Sequence, residues 1–199
     1  HPAWSGFRVL PDQTVKIKQH QDNIQFAAMV ESVDQSLGRL LARLKSLDLA
    51  DNTIVILFSD NGGMSAGNFG NPRRVIAPGR LDRAFSTSNL PLRGGKGWLY
   101  EGGIREPLII KWPHRGQRGK VCDVPVICTD FFPTILEMLG LPLQPGQHAD
   151  GVSIAPLVKG SGTLDREALF WHFPHYSNHG MQSPGGAVRA GDYKLLEYF

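Results

Sequence analysis

The stretch that most restricts how this chain can fold is an amphipathic segment of helix length followed closely by a short apolar run. From Asp22 or Asn23, either of which can cap a helix, Phe26, Val30, Val33, Leu37, Leu40, Leu41, Leu44 and Leu47 recur mostly at steps of three and four. That spacing lines one helix face with apolar side chains and leaves Glu31, Asp34, Gln35, Arg39, Arg43 and Lys45 on a solvated face. After a turn at Asp48 to Asn52 comes T-I-V-I-L-F-S, β-branched and without alternation, the pattern of a strand covered on both faces in a parallel sheet. Helix followed by buried strand predicts an α/β architecture.

Two further strands are expected at Leu108 to Trp112 and Val124 to Cys128, in one mostly parallel central sheet with Thr53 to Ser59, flanked by helices. Thr129-Asp130 opens a second helix that runs through Phe132, Ile135, Leu136 and Leu139 and stops at Gly140. Residues His1 to Gln21 show no sustained period and read as a loop. Met64 to Asn89 read as a long irregular excursion, and loops of that length are usually functional or disordered. The tail carries F-W-H-F-P-H-Y and then a hairpin through Ala187 to Phe199.

Composition excludes little but trims the field. With 41% hydrophobic and 20% charged residues, 199 residues can bury a full core. The net charge of +3 comes from Lys and Arg scattered through loops without interleaved aromatics, which argues against nucleic acid and suits a small anion. No apolar run reaches membrane-span length, so no membrane partner is expected. Cys122 and Cys128 lie six residues apart on an extended run, roughly 20 Å, so they cannot bridge each other there and read as buried free thiols. The chain opens at His1-Pro2 without a methionine and reads as beginning inside a mature protein.

The residues that could carry chemistry follow the first strand. Ser59-Asp60-Asn61-Gly62-Gly63 puts a carboxylate and an amide carbonyl at a strand end, hard oxygen donors suited to calcium or magnesium, although D-N-G-G taken alone reads first as a plain turn. Lys96 lies between glycines in G-G-K-G, where backbone approaches a ligand closely and the ammonium reaches an anionic oxygen; the spacing is not that of a P-loop. Glu101 and Arg105 read as a surface ion pair. His172 and His175 stand among Trp171, Phe173 and Tyr176, a mixture that reads first as buried histidines in an aromatic core and also suits stacking a sugar or aryl ring.

In order along the chain, A-M-V-E-S-V-D, T-I-V-I-L-F-S-D-N-G-G, L-R-G-G-K-G-W-L-Y-E-G-G-I-R-E-P, T-D-F-F-P-T-I-L-E-M-L-G, D-G-V-S-I-A-P-L-V-K-G and R-A-G-D-Y-K-L-L resemble the sulfatase family, of the arylsulfatase type. The resemblance implies the alkaline phosphatase superfamily: a large α/β domain, here its C-terminal portion over residues 1–165, then the start of a small antiparallel subdomain over residues 166–199. It implies that Asp60 and Asn61 ligate calcium, that Lys96 contacts the sulfate, and that His172 and His175 lie near the substrate mouth. It also implies a sulfated small molecule or carbohydrate as substrate, and a secreted, periplasmic or lysosomal location.

The family's nucleophile is a formylglycine made from Cys or Ser in C/S-x-P-x-R. Neither cysteine here has Pro two residues on and Arg four on. Where P-x-R does occur, the leading residues are Gly70, Ile76, Asn89 and Lys111. The chain is therefore expected to be a fragment without the N-terminal motif and inactive alone. Two other readings stand beside it. One is a phosphohydrolase or phosphomutase of the same superfamily, disfavoured by the G-G-K-G-W-L-Y-E-G-G block; the other is a non-catalytic binding or structural domain, which predicts a homodimer through an exposed sheet edge.

Overall fold

The computed structural model describes residues 4–10, 13–66, 85–177 and 182–199, with side chains from Ile17 onward. In chain order the elements are β1 (Trp4–Leu10), β2 (Gln13–Lys18), α1 (Ile24–Ser46), β3 (Val55–Phe58), α2 (Glu101–Ile104), β4 (Leu108–Lys111), α3 (Phe131–Met138), α4 (Ala155–Lys159), β5 (Leu169–Phe173), β6 (Gly185–Ala190) and β7 (Tyr193–Tyr198). Short 3₁₀ turns occupy Ala50–Asn52 and Cys128–Asp130.

Helix α1 starts where the periodicity places it. Asn23 caps it, its Oδ1 accepting the Phe26 N–H at 3.1 Å, and Arg43 and Lys45 fall in the last turn, where cations oppose the helix dipole. None of its residues is buried; Met29, Val30, Val33 and Leu40 are all more than half exposed. Periodicity names the face a helix would bury. It does not supply the surface that covers it.

The chain is α/β, but its described strands pair antiparallel, which corrects the parallel central sheet. Val55↔Lys111 through Phe58↔Leu108 place β3 and β4 side by side in opposite directions. A continuous apolar run reports coverage, whereas strand direction is set by the path of the connection, which the run does not encode. Coverage is also incomplete: Ile110 packs into the core shared with α3 and α4, Phe58 meets Phe131 edge-on at 4.8 Å yet stays half exposed, and Leu57 and Ile109 on the other face are exposed as well. Val124 to Cys128 is no strand; it bends at Val124 and enters the 3₁₀ turn at Cys128. Without strand neighbours to pack it, this segment leaves Cys128 exposed, and Cys122 just before it is exposed too, rather than buried.

The N-terminal segment likewise differs from the loop expected of it. β1 and β2 form an antiparallel hairpin, Trp4↔Lys18 to Leu10↔Gln13, and the alternation in V-K-I-K is its trace in the sequence. Ile17 bridges Ala66 and packs with Trp98 in a small core that Tyr100 borders. A second core joins Trp112, Met138 and Ala155 with Ile54, Ile110 and Val158. β5, β6 and β7 form a third antiparallel sheet beginning at Leu169. Among the described residues no helix is long and apolar enough to cross a membrane.

Candidate functional site

Two loops meet at the end of β3. The Ser59 N–H donates to the Pro107 carbonyl at 3.3 Å, carrying the strand pairing one step past Phe58, and Asp60 then stands exposed with Asn61 half-buried beside it. The Ser59 hydroxyl donates to the Asn61 carbonyl at 3.0 Å and shapes the turn. From there the backbone is bonded to the loop carrying Lys96. Gly62 N–H donates to the Gly103 carbonyl at 3.1 Å, and Lys96 N–H donates to the Gly63 carbonyl at 3.1 Å.

The glycines of D-N-G-G and E-G-G are there because backbone lies against backbone. A Cβ on Gly62 would strike the Gly102 carbonyl oxygen, and one on Gly103 the Trp98 carbonyl oxygen. Gly97, at φ +90, turns the chain immediately after Lys96. Asn89 fastens the junction: its Nδ2 donates to the Gly63 carbonyl at 2.8 Å, and its Oδ1 accepts the Gly63 N–H at 3.1 Å. Lys96 is half-buried and makes no ion pair among the described residues, so its charge is available.

A second carboxyl lies beside this turn. Burial, reinforced by the charge of Asp60, pushes the Glu106 carboxyl up to about 7, and its Oε1 is buried without a hydrogen-bond partner among the described residues. Among the described residues no group of three or more His, Cys, Asp and Glu side chains could hold a metal ion. Asp60 and Asn61 therefore offer oxygen donors of the right kind for calcium, and fewer than the six to eight or so that calcium takes.

The C-terminal sheet packs one face toward the Lys96 loop. Residues paired across its strands share a face, so Trp171, Leu196, Lys194 and Tyr198 lie on one side and Phe170, His172, Leu195 and Glu197 on the other. On the first side Lys194 Nζ pairs with Glu101 Oε1 at 2.9 Å and sits 5.4 Å from the Trp171 ring centre. Burial lowers the Lys194 ammonium pKa, which the Glu101 hydrogen bond opposes. Burial beside Tyr100 raises the Tyr198 phenol well above its ordinary value.

His172 and His175 are thereby separated. His172 is on the face turned from the Lys96 loop, 5.8 Å from the Phe199 ring, and lines a cavity of about 770 Å³ with Thr129, Asp150, Arg166 and Phe170. His175 lies beyond β5, edge-on to Phe173 at 5.5 Å, and Phe173 belongs to the face that carries Lys194. Sequence reasoning passed over Asn89, Glu106 and Gln182. Glu106 stands inside the quoted I-R-E-P block, whereas Asn89 and Gln182 are lone polar residues in loops with no spacing to mark them.

The sequence profile described as Sulfatase matches residues 3–141, a span that holds both loops of the junction. The chain belongs to the sulfatase family. A second profile, N-sulphoglucosamine sulphohydrolase, C-terminal, matches residues 95–199. A sulfatase of Formosa agariphila is 39% identical over 164 residues, covering 76% of this chain and 26% of its own length. Human arylsulfatase A is 33% identical over 169 residues, covering 85% of this chain and 29% of its own length. The chain thus spans about a quarter of the length of the curated sulfatases it matches.

Among solved structures, Ps i-CgsB in complex with k-i-k-neocarrahexaose superposes with a TM-score of 0.69 at 28% identity, over 88% of this chain and 34% of that one. BT4656 in complex with its substrate D-glucosamine-2-N,6-O-disulfate superposes with a TM-score of 0.65 at 25% identity, over 85% and 30%. These likenesses make the chain a part, about a third, of the alkaline phosphatase-like fold of those structures.

Proposed function

We propose that this chain forms the sulfate-contacting portion of a sulfuric ester hydrolase, with Lys96 as the anion contact and Asp60 and Asn61 as part of a calcium shell. The observation that carries this reading is the 3.1 Å hydrogen bond from Lys96 N–H to the Gly63 carbonyl, which ties a cation-bearing loop to the turn holding the oxygen donors. An ammonium without an ion pair among the described residues, on a loop bonded to the turn that carries such donors, suits an anion held between two positive centres.

Calcium, when bound, would neutralise negative charge on the sulfate oxygens. What the chain itself does is bind and orient: Asn89 and the glycine contacts fix where Lys96 leaves the backbone, and the ammonium attracts the ester's oxygens. No nucleophilic step follows from these residues, because none of the 199 lies in a C/S-x-P-x-R context that formylglycine would need. Alone, the chain is therefore expected to leave an aryl sulfate intact.

A sulfated carbohydrate is the favoured substrate class, supported by the substrate bound in BT4656. His175, at the end of the strand face turned toward the Lys96 loop, suits contact with a sugar hydroxyl better than His172 does. A secreted or periplasmic location belongs to the same proposal.

The test is a titration of the ¹⁵N-labelled chain with sodium sulfate, together with an aryl sulfate assay. Saturable shifts centred on Lys96, abolished by Lys96→Ala, and no turnover above background are expected. Turnover that survives repurification and disappears in Lys96→Ala would overturn the view that the chain alone is inactive. Sulfate shifts indifferent to Lys96→Ala would overturn the assignment of Lys96.

A further inference from the structure

One buried residue of the C-terminal sheet's first connection reaches the Lys96 loop. Gln182, which lies between β5 and β6, is 1% exposed, and its Oε1 accepts the Leu99 backbone N–H at 2.7 Å. The Ser177 N–H donates to the Gln182 carbonyl at 2.9 Å, which draws together the ends of the connection that begins beside His175. On the other side of the bond, Trp98 N–H donates to the Gly95 carbonyl at 3.0 Å and closes a tight turn with Lys96 and Gly97 at its centre, so Leu99 is the first residue after that turn.

The bond uses only half of the amide. Gln182 Nε2 is buried without a partner among the described residues, which costs free energy that an apolar side chain of the same shape would not incur. Leu99 and Trp98 beside it are themselves buried, at 5% and 2% exposure, so packing alone favours an apolar residue here. What the amide contributes is its acceptor, aimed at the turn of Lys96. Gly63 and Asn89 hold that turn from the β3 side; Gln182, with the Lys194–Glu101 pair, holds it from the C-terminal sheet.

We infer that Gln182 is a positioning residue for Lys96, setting the anion contact by clamping Leu99 and joining its placement to that of the β5–β6 connection. This rests on the reading of Lys96 as the sulfate contact. A turn released from the clamp samples more conformers, and apparent affinity falls with the fraction that is competent to bind.

The experiment follows Lys96 and Gly97 amide shifts during sodium sulfate titration of the whole chain, its Gln182→Met variant, which keeps the shape without the acceptor, and Thr134→Val. Thr134 is a buried hydrogen-bonding residue of α3 outside the junction, so its variant controls for general loosening. Gln182→Met is expected to raise the apparent dissociation constant for sulfate about threefold to tenfold, with Thr134→Val unchanged. An unchanged constant in Gln182→Met, or an equal rise in Thr134→Val, overturns the inference. Lys96→Ala, run alongside, separates the two readings: if it leaves the shifts in place, Lys96 is not the sulfate contact, whatever Gln182 does. Should Gln182→Met fail to fold, hydrogen exchange in the unaltered chain decides; sulfate is expected to slow exchange at the Leu99 amide, and no slowing overturns the inference.

Discussion

Arg166 Nη1 donates to both carboxylate oxygens of the fully buried Asp130, at 2.8 and 3.0 Å. The same carboxylate accepts the backbone N–H groups of Ile127 at 2.9 Å and Val152 at 3.0 Å, and Arg166 Nη2 donates to the Pro125 carbonyl at 3.0 Å. Four hydrogen bonds from three donor groups around one carboxylate offset its removal from water, and they tie three separate segments to the start of α3. Asp130→Ala strips the partner from a mostly buried guanidinium and from two backbone N–H groups. Urea denaturation should show a loss of about 3–5 kcal/mol. A loss below about 1 kcal/mol would mean that the segments are held together by something else.

The junction of the two loops makes a sharper stereochemical prediction. A methyl on Gly62 meets the Gly102 carbonyl, which is backbone and cannot swing aside, whereas a methyl on Gly38, within α1, meets nothing within 4 Å. Gly62→Ala should cost about 1–3 kcal/mol through forced backbone shifts. Gly38→Ala should gain about 0.5–1 kcal/mol, because alanine loses less backbone freedom in a helix. Thermal unfolding of the two variants reads opposite signs, and the Gly62 variant should also weaken the sulfate response at Lys96.

How far the sequence spoke varies with the kind of order involved. The 24–46 helix was legible because its side chains repeat with the period of the backbone, and β3 because β-branched apolar residues cluster there. Direction was not legible: β3 and β4 lie antiparallel because of the path taken between Phe58 and Leu108, which no local pattern records. Nor does spacing disclose that Gly62 touches Gly102 forty residues away; the glycines announce a close approach without naming its partner. Asn89 and Gln182 were missed for the same reason, since each acts through a single hydrogen bond or pair of bonds to a distant backbone. The Asp60, Asn61 and Lys96 motifs were readable as residues, while their connection through Gly63 had to be seen.

Glu106 gives the pH dependence. Its carboxyl titrates near 7 in the folded chain against 4.5 for the ordinary group, because burial and then Asp60 disfavour the charge. Between those values the folded state holds the proton more tightly than the unfolded chain. Stability from this group is thus fully present below about pH 4.5 and is lost as pH rises through about 7. In metal-free buffer, Glu106→Gln should flatten that decline and be the more stable protein above pH 7. Melting temperatures for the two proteins that run parallel from pH 4 to 8 would contradict the assignment.

Calcium tests the oxygen donors at the end of β3. Asp60 brings one negative charge and Asn61 a neutral carbonyl, while a tight cage needs several carboxylates among about six to eight oxygens. Solvent has to complete the shell, which exposure of Asp60 allows. Binding by this chain should therefore be weak, with a dissociation constant on the order of 10⁻⁴–10⁻³ M, and should vanish in Asp60→Ala. Isothermal titration in chelator-treated buffer measures it. Submicromolar affinity that is lost in Asp60→Ala would show that this chain completes a calcium site around Asp60 with further ligands of its own, and would move the search to Glu106, whose carboxyl feels the charge of Asp60.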